Sequence, residues 1–162
     1  MHIISTNSKI SKLADLESSV KGSKLIIGER CMIDAFVKIK FSGGLGDIII
    51  GNNCYINSGT VIYSGNGIVM GNYVLIAANC TLSASNHEFI SKDKTVYDQR
   101  FKTSRGGIII EDDVWIGANT VISEGAILRE GAIIGACSFV NKEIESYGIY
   151  VGNPLRKIGE RK

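Results

Sequence analysis

Proline is almost absent from the sequence: the chain has one proline against 19 glycines in 162 residues. Its many turns must therefore be made by glycine, asparagine and aspartate, which tolerate the backbone conformations that turns require. No apolar run approaches the roughly 18 residues of a membrane-spanning helix, so no membrane insertion is expected. The first residues, MHIISTNSKISK, lack the apolar core of a secretory signal, so a cytoplasmic location is expected.

The chain also lacks an excess of charge of either sign. Its 18 Lys and Arg against 16 Asp and Glu give a net charge of +2, which points to neither a nucleic acid nor a membrane surface as a partner. Cys31, Cys54, Cys80 and Cys137 form no C-x-x-C pair, and we expect reduced thiols. The abundance of isoleucine and glycine argues against a helical bundle and favours an all-β fold of one domain.

An aliphatic residue recurs every six positions along most of the chain. These positions are Ile27, Ile33, Ile39, Ile50, Ile56, Ile62, Met70, Ile76, Leu82, Ile110, Ile116, Ile122, Leu128, Ile134 and Val140. A period of six does not keep a stripe on one side of an α-helix. It predicts a solenoid of short strands, in which three faces close a coil of about 18 residues.

Two further positions of the repeat have a fixed character. The fourth residue after each aliphatic residue is small. These positions are Cys31, Val37, Cys54, Thr60, Val74, Cys80, Val114, Thr120, Ala126, Ala132 and Ser138. The pattern predicts that the three cysteines among them lie in the core. The third position is rich in residues that tolerate a positive φ: Asn53, Gly59, Asn79, Asp113, Asn119, Gly125 and Gly131.

The repeat is interrupted in three places. Residues 40–49 shift its phase by one, Gly65–Gly67 add two residues, and 28 positions separate Leu82 from Ile110. We expect a long loop at about residues 84–107, and long loops on rigid scaffolds are candidates for function. The repeat domain is predicted over 25–158, with a cap at 1–24, in which 11–20 form a short helix or an irregular segment, and a basic tail at 159–162.

The tandem copies IGERCM, IGNNCY, MGNYVL and WIGANT–VISEGA resemble the hexapeptide-repeat acyltransferases over about residues 25–158. This resemblance implies an all-β fold, a single-stranded left-handed parallel β-helix. Three segments, LIAANCTLSASNH, DDVWIGANTVI and VGNPLRKI, are similar to the sugar O-acetyltransferase branch, which includes galactoside, maltose, O-antigen and capsule acetyltransferases. The resemblance implies a homotrimer that acetylates a carbohydrate from acetyl-CoA without a metal, in surface polysaccharide biosynthesis.

His87 is the candidate catalytic residue. It is one of two histidines and lies at the root of the predicted loop. Acetyl transfer from a thioester to a hydroxyl needs a base that works near neutral pH, and imidazole is suited to that task. Its ring could be oriented by Glu88, by Asp93 or by a main-chain carbonyl. The alternative is an ordinary solvent-exposed loop histidine.

The resemblance also implies the residues that contact the two substrates. Asn57 and Trp115 are expected to contact the acceptor, although Asn57 could be an ordinary corner residue and Trp115 could pack under the loop. The coenzyme A groove is expected along the last coils, at Ala118, Ala136, Asn141, Lys142, Arg156 and Lys157. The two cations follow the Gly152–Pro154 turn and suit the phosphates of coenzyme A, but they could also belong to a solvated basic tail.

Three other functions are compatible with such a scaffold. An N-acetyltransferase acting on a nucleotide-linked amino sugar would share both the fold and the donor. A zinc enzyme on this scaffold would need three histidines per site, and two histidines per chain argue against it. A non-catalytic solenoid would bind partners without turnover, and binding of coenzyme A or thioester turnover would exclude it.

Overall fold

The chain winds repeatedly through three β-sheets, and each turn adds one strand to each sheet. A computed structural model describes all residues from Met1 to Lys162. Strands that are neighbours in a sheet come from successive turns and are parallel, apart from the last pair. The architecture is a single-stranded parallel β-helix with a triangular cross-section.

Each sheet forms one face of the prism. Sheet A contains β1 (His2–Ile4), β4 (Leu25–Ile27), β7 (Ile48–Ile50), β10 (Ile68–Met70), β13 (Ile108–Ile110), β16 (Ile127–Leu128) and β19 (Glu143–Ile144). Sheet B contains β2 (Lys9–Ile10), β5 (Met32–Ile33), β8 (Tyr55–Ile56), β11 (Leu75–Ile76), β14 (Trp115–Ile116), β17 (Ile133–Ile134), β20 (Gly148–Val151) and β21 (Arg156–Glu160). Sheet C contains β3 (Asp15–Leu16), β6 (Lys38–Lys40), β9 (Val61–Tyr63), β12 (Thr81–Ser83), β15 (Val121–Ser123) and β18 (Phe139–Val140).

The core is the aliphatic column that the period of six predicts. Every aliphatic position predicted above is buried, and so is every small position four residues later. Strand pairing stacks equivalent residues directly, so that Met70 lies between Ile50 and Ile110 in sheet A. Burying one such side chain contributes about 1.5–3 kcal/mol relative to leaving it exposed, so the column is the main stabilising feature of the prism.

The small inward positions also satisfy main-chain carbonyls. Three buried thiols donate to a glycine carbonyl of the next turn: Cys31 to Gly51 at 3.0 Å, Cys54 to Gly71 at 3.1 Å and Cys80 to Gly117 at 3.2 Å. Thr60 does the same with the carbonyl of Ala77 at 3.2 Å. The prediction of three core cysteines is therefore confirmed, and Cys137 is an exposed free thiol.

The corners use the left-handed backbone conformation that the third position predicts. Asn53, Gly59, Asn79, Asp113, Asn119, Gly125 and Gly131 all have φ between 57° and 74°. Arg30, Phe36, Tyr73, Cys137 and Tyr147 occupy the same region with φ between 53° and 62°. Those five residue types do not signal a positive φ, and the corner imposes it on them.

The N-terminal segment differs from the expected cap. Residues 1–24 form a complete first turn, in which β1, β2 and β3 pair with β4, β5 and β6. Of the two alternatives for 11–20, the helix is not formed, and the segment contains the short strand β3. Ile4, Ile10 and Leu16 do follow the period of six. The sequence does not reveal that this segment continues the coil, because equivalent residues of the first and second turns lie 23 positions apart, as Ser8 and Cys31 do.

The C-terminal segment also differs from the expected basic tail. Residues of β21 pair antiparallel with β20 at the end of sheet B, which covers an edge that would otherwise expose unpaired main-chain groups. Arg161 follows β21, and its guanidinium donates to the Asp113 carboxylate at 2.7 Å. Only Lys162 extends beyond these contacts as an exposed residue without an ion pair.

The departures from regular turns occur where the chain passes from sheet C to sheet A, which we call the C–A corner. Four excursions lie there, at 17–24, 41–47, 64–67 and 84–107. Glycines let them pack closely: a Cβ on Gly65 would lie 2.2 Å from the Ala84 carbonyl oxygen. The long loop predicted at 84–107 is the largest excursion and contains the one helix, α1 (Val96–Gln99). No helix of the structure has the length and apolar character needed to cross a membrane.

Candidate active site

The base of the long loop is a short antiparallel ribbon. His87 forms a β-bridge with Phe101, flanked by hydrogen bonds from the Lys102 amide to the Asn86 carbonyl at 2.9 Å and from the Glu88 amide to the Arg100 carbonyl at 3.0 Å. His87 follows β12 by a few residues, so the ribbon is attached directly to the rigid sheet. The side chain of His87 is thereby held at the C–A corner.

Two contacts orient the His87 ring. Its Nδ1 lies 3.0 Å from the main-chain carbonyl oxygen of Arg100, and its face stacks on Phe101 with ring centres 4.9 Å apart. A carbonyl can only accept, so the neutral ring must carry its proton on Nδ1 and leave Nε2 as a free acceptor. This is the tautomer and orientation that a general base requires.

The two carboxylates considered for this orienting role do not contact the ring. The Glu88 carboxylate accepts hydrogen bonds from the amides of Phe89 and Ile90, at 2.9 and 3.2 Å. The amide of Asp93 donates to the Ser91 hydroxyl, within the loop. The Arg100 carbonyl takes the role instead.

A cavity of about 390 Å³ opens beside the ring. It is lined by Ser42, Tyr63, Ser83, Ser85, Asn86, His87 and Phe101. Tyr63 pairs with Ser83 and with Lys40 on sheet C and is 37% exposed. The Lys40 ammonium donates to Asp15, and this bond raises the pKa of Lys40. The lining offers hydroxyls and aromatic faces, which suit a sugar ring.

Sequence reasoning identified only His87 among these lining residues. The others come from three turns of the coil. Tyr63 and Ser83 are outward strand positions of the repeat, and the rest lie in segments that interrupt it, so none carries a chemical signal. One signal was available: 40–49, 65–67 and the long loop all interrupt the period. Interruptions that stack at one corner bring distant residues such as Ser42 and Ser85 together.

Asn57 and Trp115 lie outside this cavity. Asn57 is at the corner between sheets B and C, where its side-chain amide donates to the Ile76 carbonyl at 2.8 Å. Trp115 points outward from sheet B between Leu75 and Ile133 and is 48% exposed. The C–A corner is opposite sheet B in a triangular prism, so Trp115 cannot reach His87 of its own chain.

The residues expected along the coenzyme A groove lie on the last turns. Ala118 and Ala136 stack at the corner between sheets B and C, linked by the Cys137 amide, which donates to the Ala118 carbonyl at 2.9 Å. Asn141 and Lys142 are at the C–A corner. They line a second cavity, of about 290 Å³, together with Phe139, Asn153, Pro154 and Leu155.

The two cations after the Pro154 turn differ in their surroundings. The Lys157 ammonium donates to both Glu145 and Glu160, and these carboxylates raise its pKa. Arg156 is exposed and forms no ion pair. Arg156 is therefore the cation of the pair that is free to meet a phosphate.

The other histidine, His2, lies far from His87 along the chain. Its Nε2 is 2.9 Å from the Glu17 carbonyl oxygen. No group of three or more His, Cys, Asp or Glu side chains is arranged to hold a metal ion.

Comparison with known proteins identifies related sequences over most of the chain. The family described as bacterial transferase hexapeptide (six repeats) matches residues 107–142. Galactoside O-acetyltransferase of Escherichia coli K12 is 32% identical over 153 residues, which cover 93% of this chain and 70% of the relative. An Escherichia coli dTDP-4-amino-4,6-dideoxy-D-glucose acyltransferase is 28% identical, with 93% of this chain and 79% of the relative covered.

Solved structures agree with the sequence relatives. AntD, an N-acyltransferase from Bacillus cereus solved with dTDP and 3-hydroxybutyryl-CoA, matches with a TM-score of 0.81 and 29% identity, covering 97% of this chain and 81% of that one. A hexapeptide-repeat acetyltransferase from Vibrio cholerae, solved with acetyl coenzyme A, matches with a TM-score of 0.72 and 27% identity, covering 84% and 70%. The chain therefore belongs to the hexapeptide-repeat acyltransferases, and its coil is the left-handed parallel β-helix of that family.

Proposed function

We propose that this acyltransferase moves the acetyl group of acetyl-CoA to a sugar hydroxyl, in the synthesis of a surface polysaccharide. The observation that carries the proposal is the His87 ring, whose Nδ1 is committed to the Arg100 carbonyl while Nε2 is left as an acceptor. The adjoining cavity is lined by hydroxyl and aromatic side chains. The galactoside O-acetyltransferase relative supports the same acceptor class.

In this mechanism Nε2 of His87 takes the proton of the acceptor hydroxyl while the oxygen bonds to the thioester carbonyl carbon. The resulting tetrahedral oxyanion is stabilised by main-chain N–H groups near the site. It collapses with cleavage of the carbon–sulfur bond, and the imidazolium returns the proton to the coenzyme A thiolate. The Arg100 carbonyl accepts from Nδ1–H throughout, so it stabilises the imidazolium when it forms.

The acceptor ring is proposed to lie on sheet C, between Tyr63 and the loop root. Tyr63 offers an aromatic face, and Ser42 offers a hydroxyl that can donate or accept. The Ser83 hydroxyl donates to the Ser85 carbonyl at 3.1 Å and can still accept. Asn57 and Trp115 are proposed to contact the acceptor from a second copy of the chain, because neither lies in the cavity beside His87 of its own chain.

The donor is proposed to lie along the last turns. Ala118 and Ala136 leave the corner between sheets B and C without bulky side chains, so the pantetheine arm can pass over it. Asn141 and Lys142 line the cavity of about 290 Å³ at the C–A corner, where the donor is proposed to end. Arg156 is proposed to meet a phosphate of coenzyme A, since guanidinium groups suit phosphate oxygens. Lys157 contributes less, because Glu145 and Glu160 already hold its ammonium.

A homotrimer is proposed as the active assembly. Sheets A and B both present outward apolar side chains, including Val69, Ile109, Leu75 and Trp115, each between 42% and 48% exposed. Closed rings of identical subunits use two different surfaces per subunit, and two apolar faces meet that requirement. Sedimentation that shows a stable and active monomer would exclude it.

A second candidate function is N-acylation of a nucleotide-linked amino sugar. It is favoured by the match to AntD, which was solved with dTDP and an acyl-CoA and covers 97% of this chain. The amine would attack the thioester in place of the hydroxyl, and the donor residues would be the same.

The test is an acceptor screen with acetyl-CoA, in which release of free thiol is followed for sugars, amino sugars and nucleotide-linked amino sugars. Products are then treated with mild base, which cleaves an acetyl ester but leaves an amide intact. Base-labile products that require His87 support the main proposal. Base-stable products formed only on nucleotide-linked amino sugars support the second candidate, and absence of both turnover and coenzyme A binding excludes both.

A further inference from the structure

The residue that orients His87 has an unusual backbone conformation. Arg100 has φ 61° and ψ −142°, close to a region that is essentially restricted to glycine because of steric conflict with Cβ. Its carbonyl oxygen accepts two hydrogen bonds, from Nδ1 of His87 and from the Glu88 amide, both at 3.0 Å. The strained residue is thus the one whose carbonyl sets the histidine tautomer.

The side chain of Arg100 does not explain this conformation. Its guanidinium lies over the Tyr97 ring, with Cζ 4.8 Å from the ring centre, and both side chains are exposed. An exposed cation–π contact contributes little. The constraint on Arg100 must come from the chain on either side of it.

The preceding residue, Gln99, provides that constraint. Its Nε2 donates to the carbonyls of Ser91 and Lys94, at 2.9 and 3.1 Å, and its Oε1 accepts from the Ser91 amide at 2.9 Å. This one partly buried amide group joins the outgoing half of the loop to the incoming half. It fixes the position of residue 99, from which the chain must turn sharply to reach Phe101.

The start of α1 holds the other end of this same segment, which also precedes Arg100. The Thr95 hydroxyl accepts from the Asp98 amide at 3.1 Å and donates to the Asp98 carboxylate at 2.6 Å. The chain is therefore held at Thr95–Gln99 and again at the ribbon formed by His87 and Phe101. Arg100 is the single residue between the two fixed points, and it absorbs the mismatch as backbone strain.

We propose that Gln99 is a positioning residue for His87. Its amide network holds Arg100 in the strained conformation, which aims the main-chain carbonyl at Nδ1 and keeps Nε2 free for the acceptor proton. The proposal rests on the proposed function for its effect on turnover. Its effect on the tautomer is independent of any activity.

Gln99→Ala tests the proposal by kinetics. We expect kcat to fall by about 10- to 100-fold, the scale of a small displacement of a catalytic group, with little change in the KM for either substrate. Should this variant fail to fold, Gln99→Glu replaces it, because glutamate still accepts from the Ser91 amide but cannot donate to the two carbonyls.

A matched pair of double variants separates this role from a general loosening of the loop. In the Gln99→Ala background, Arg100→Gly removes the Cβ that disfavours the required conformation, whereas Arg100→Ala keeps it; both remove the guanidinium. We expect the glycine double variant to recover more kcat than the alanine one. Equal activities of the two would overturn the proposal.

The spectroscopic readout is the ¹⁵N NMR signal of the neutral His87 ring, which distinguishes a protonated from an unprotonated ring nitrogen. Only His2 competes with it, and His87→Ala assigns the signals. We expect the native protein to show Nδ1 protonated and Gln99→Ala to show a mixture of both tautomers. An unchanged single tautomer in Gln99→Ala would contradict the proposal, whatever the acceptor proves to be.

Discussion

At the scale of single residues, the site depends on which atoms are already committed within the chain. The Arg100 carbonyl accepts a hydrogen bond from Nδ1 of His87, and Nε2 stays available to a substrate. Glu145 and Glu160 form ion pairs with Lys157, and Arg156 stays available. In both pairs the sequence presents two candidates of similar chemistry, and hydrogen bonding decides which of them is available to a substrate.

His87→Ala should lower kcat by about 10²–10⁴-fold, the usual contribution of a general base. Folding and coenzyme A affinity should be nearly unchanged, because the side chain lies at a loop root outside the aliphatic column. His87→Asn is the stricter control, since it keeps a hydrogen-bonding group that cannot take the proton. Nearly full activity of either variant would contradict the mechanism.

Arg156→Ala should weaken acetyl-CoA while sparing the acceptor. A charge-assisted contact to a phosphate contributes roughly 1.5–3 kcal/mol, which corresponds to about 10- to 100-fold in the donor KM. Lys157→Ala is the matched control and should have a smaller effect, because its charge is held by two carboxylates. If the donor KM is unchanged in Arg156→Ala, the phosphates lie elsewhere.

At this scale the core was predictable and the site only in part. The positions of Cys31, Cys54 and Cys80 follow from spacing alone, because one small inward residue per face is a packing requirement. The role of Arg100 had no signal, because a main-chain carbonyl belongs to every residue. Tyr63 had none either, since an outward tyrosine is an ordinary surface residue until the loop folds beside it.

At the scale of elements, the C–A corner is where irregular excursions leave the regular coil and form the cavity beside His87. Its excursions stack in order, and each packs on the one before. The period of six predicted the regular turns of 18 residues, as between Thr120 and Ser138. It could not predict the longer first turns, because a corner excursion changes the spacing without changing the strands that it joins.

Gly43→Ala should disturb the site from beneath. Gly43 has φ 78°, and a Cβ there would lie 2.4 Å from the Ser85 hydroxyl oxygen and 3.1 Å from a ring carbon of Phe101, the residue stacked on His87. We expect a lower kcat and a loss of stability of about 1–2 kcal/mol from the left-handed conformation alone.

Gly22→Ala is the matched control for this prediction. Gly22 has φ 90° on another excursion of the same corner, and a Cβ there would meet nothing within 4 Å. It should lose similar stability, measured as a lower Tm, and keep its activity. If Gly43→Ala lowers Tm and leaves kcat unchanged, the packing of Gly43 against Phe101 does not set the orientation of the His87 ring.

At the scale of the whole molecule, the three faces have different characters. Sheet A carries an outward apolar column in register, formed by Ile3, Ile26, Ile49, Val69, Ile109 and Ile127. Sheet B carries another, formed by Met32, Tyr55, Leu75, Trp115, Ile133 and Ile149. Sheet C is more polar and borders the His87 cavity. Two apolar columns of this length are unusual on a protein that stays monomeric.

Mixing two impaired variants tests whether two chains share one site. His87 and Trp115 lie on opposite sides of one prism, so a site that uses both must take them from different chains. His87→Ala and Trp115→Ala should each be impaired when pure. In trimers reassembled from an equal mixture, about a quarter of the sites should combine an intact His87 with an intact Trp115 from the neighbour, by the statistics of random assembly in a closed ring. We therefore expect activity to return to roughly that fraction of the native value. If both residues acted within one chain, no mixed trimer would contain an intact site, and the mixture would be no more active than the average of its two components.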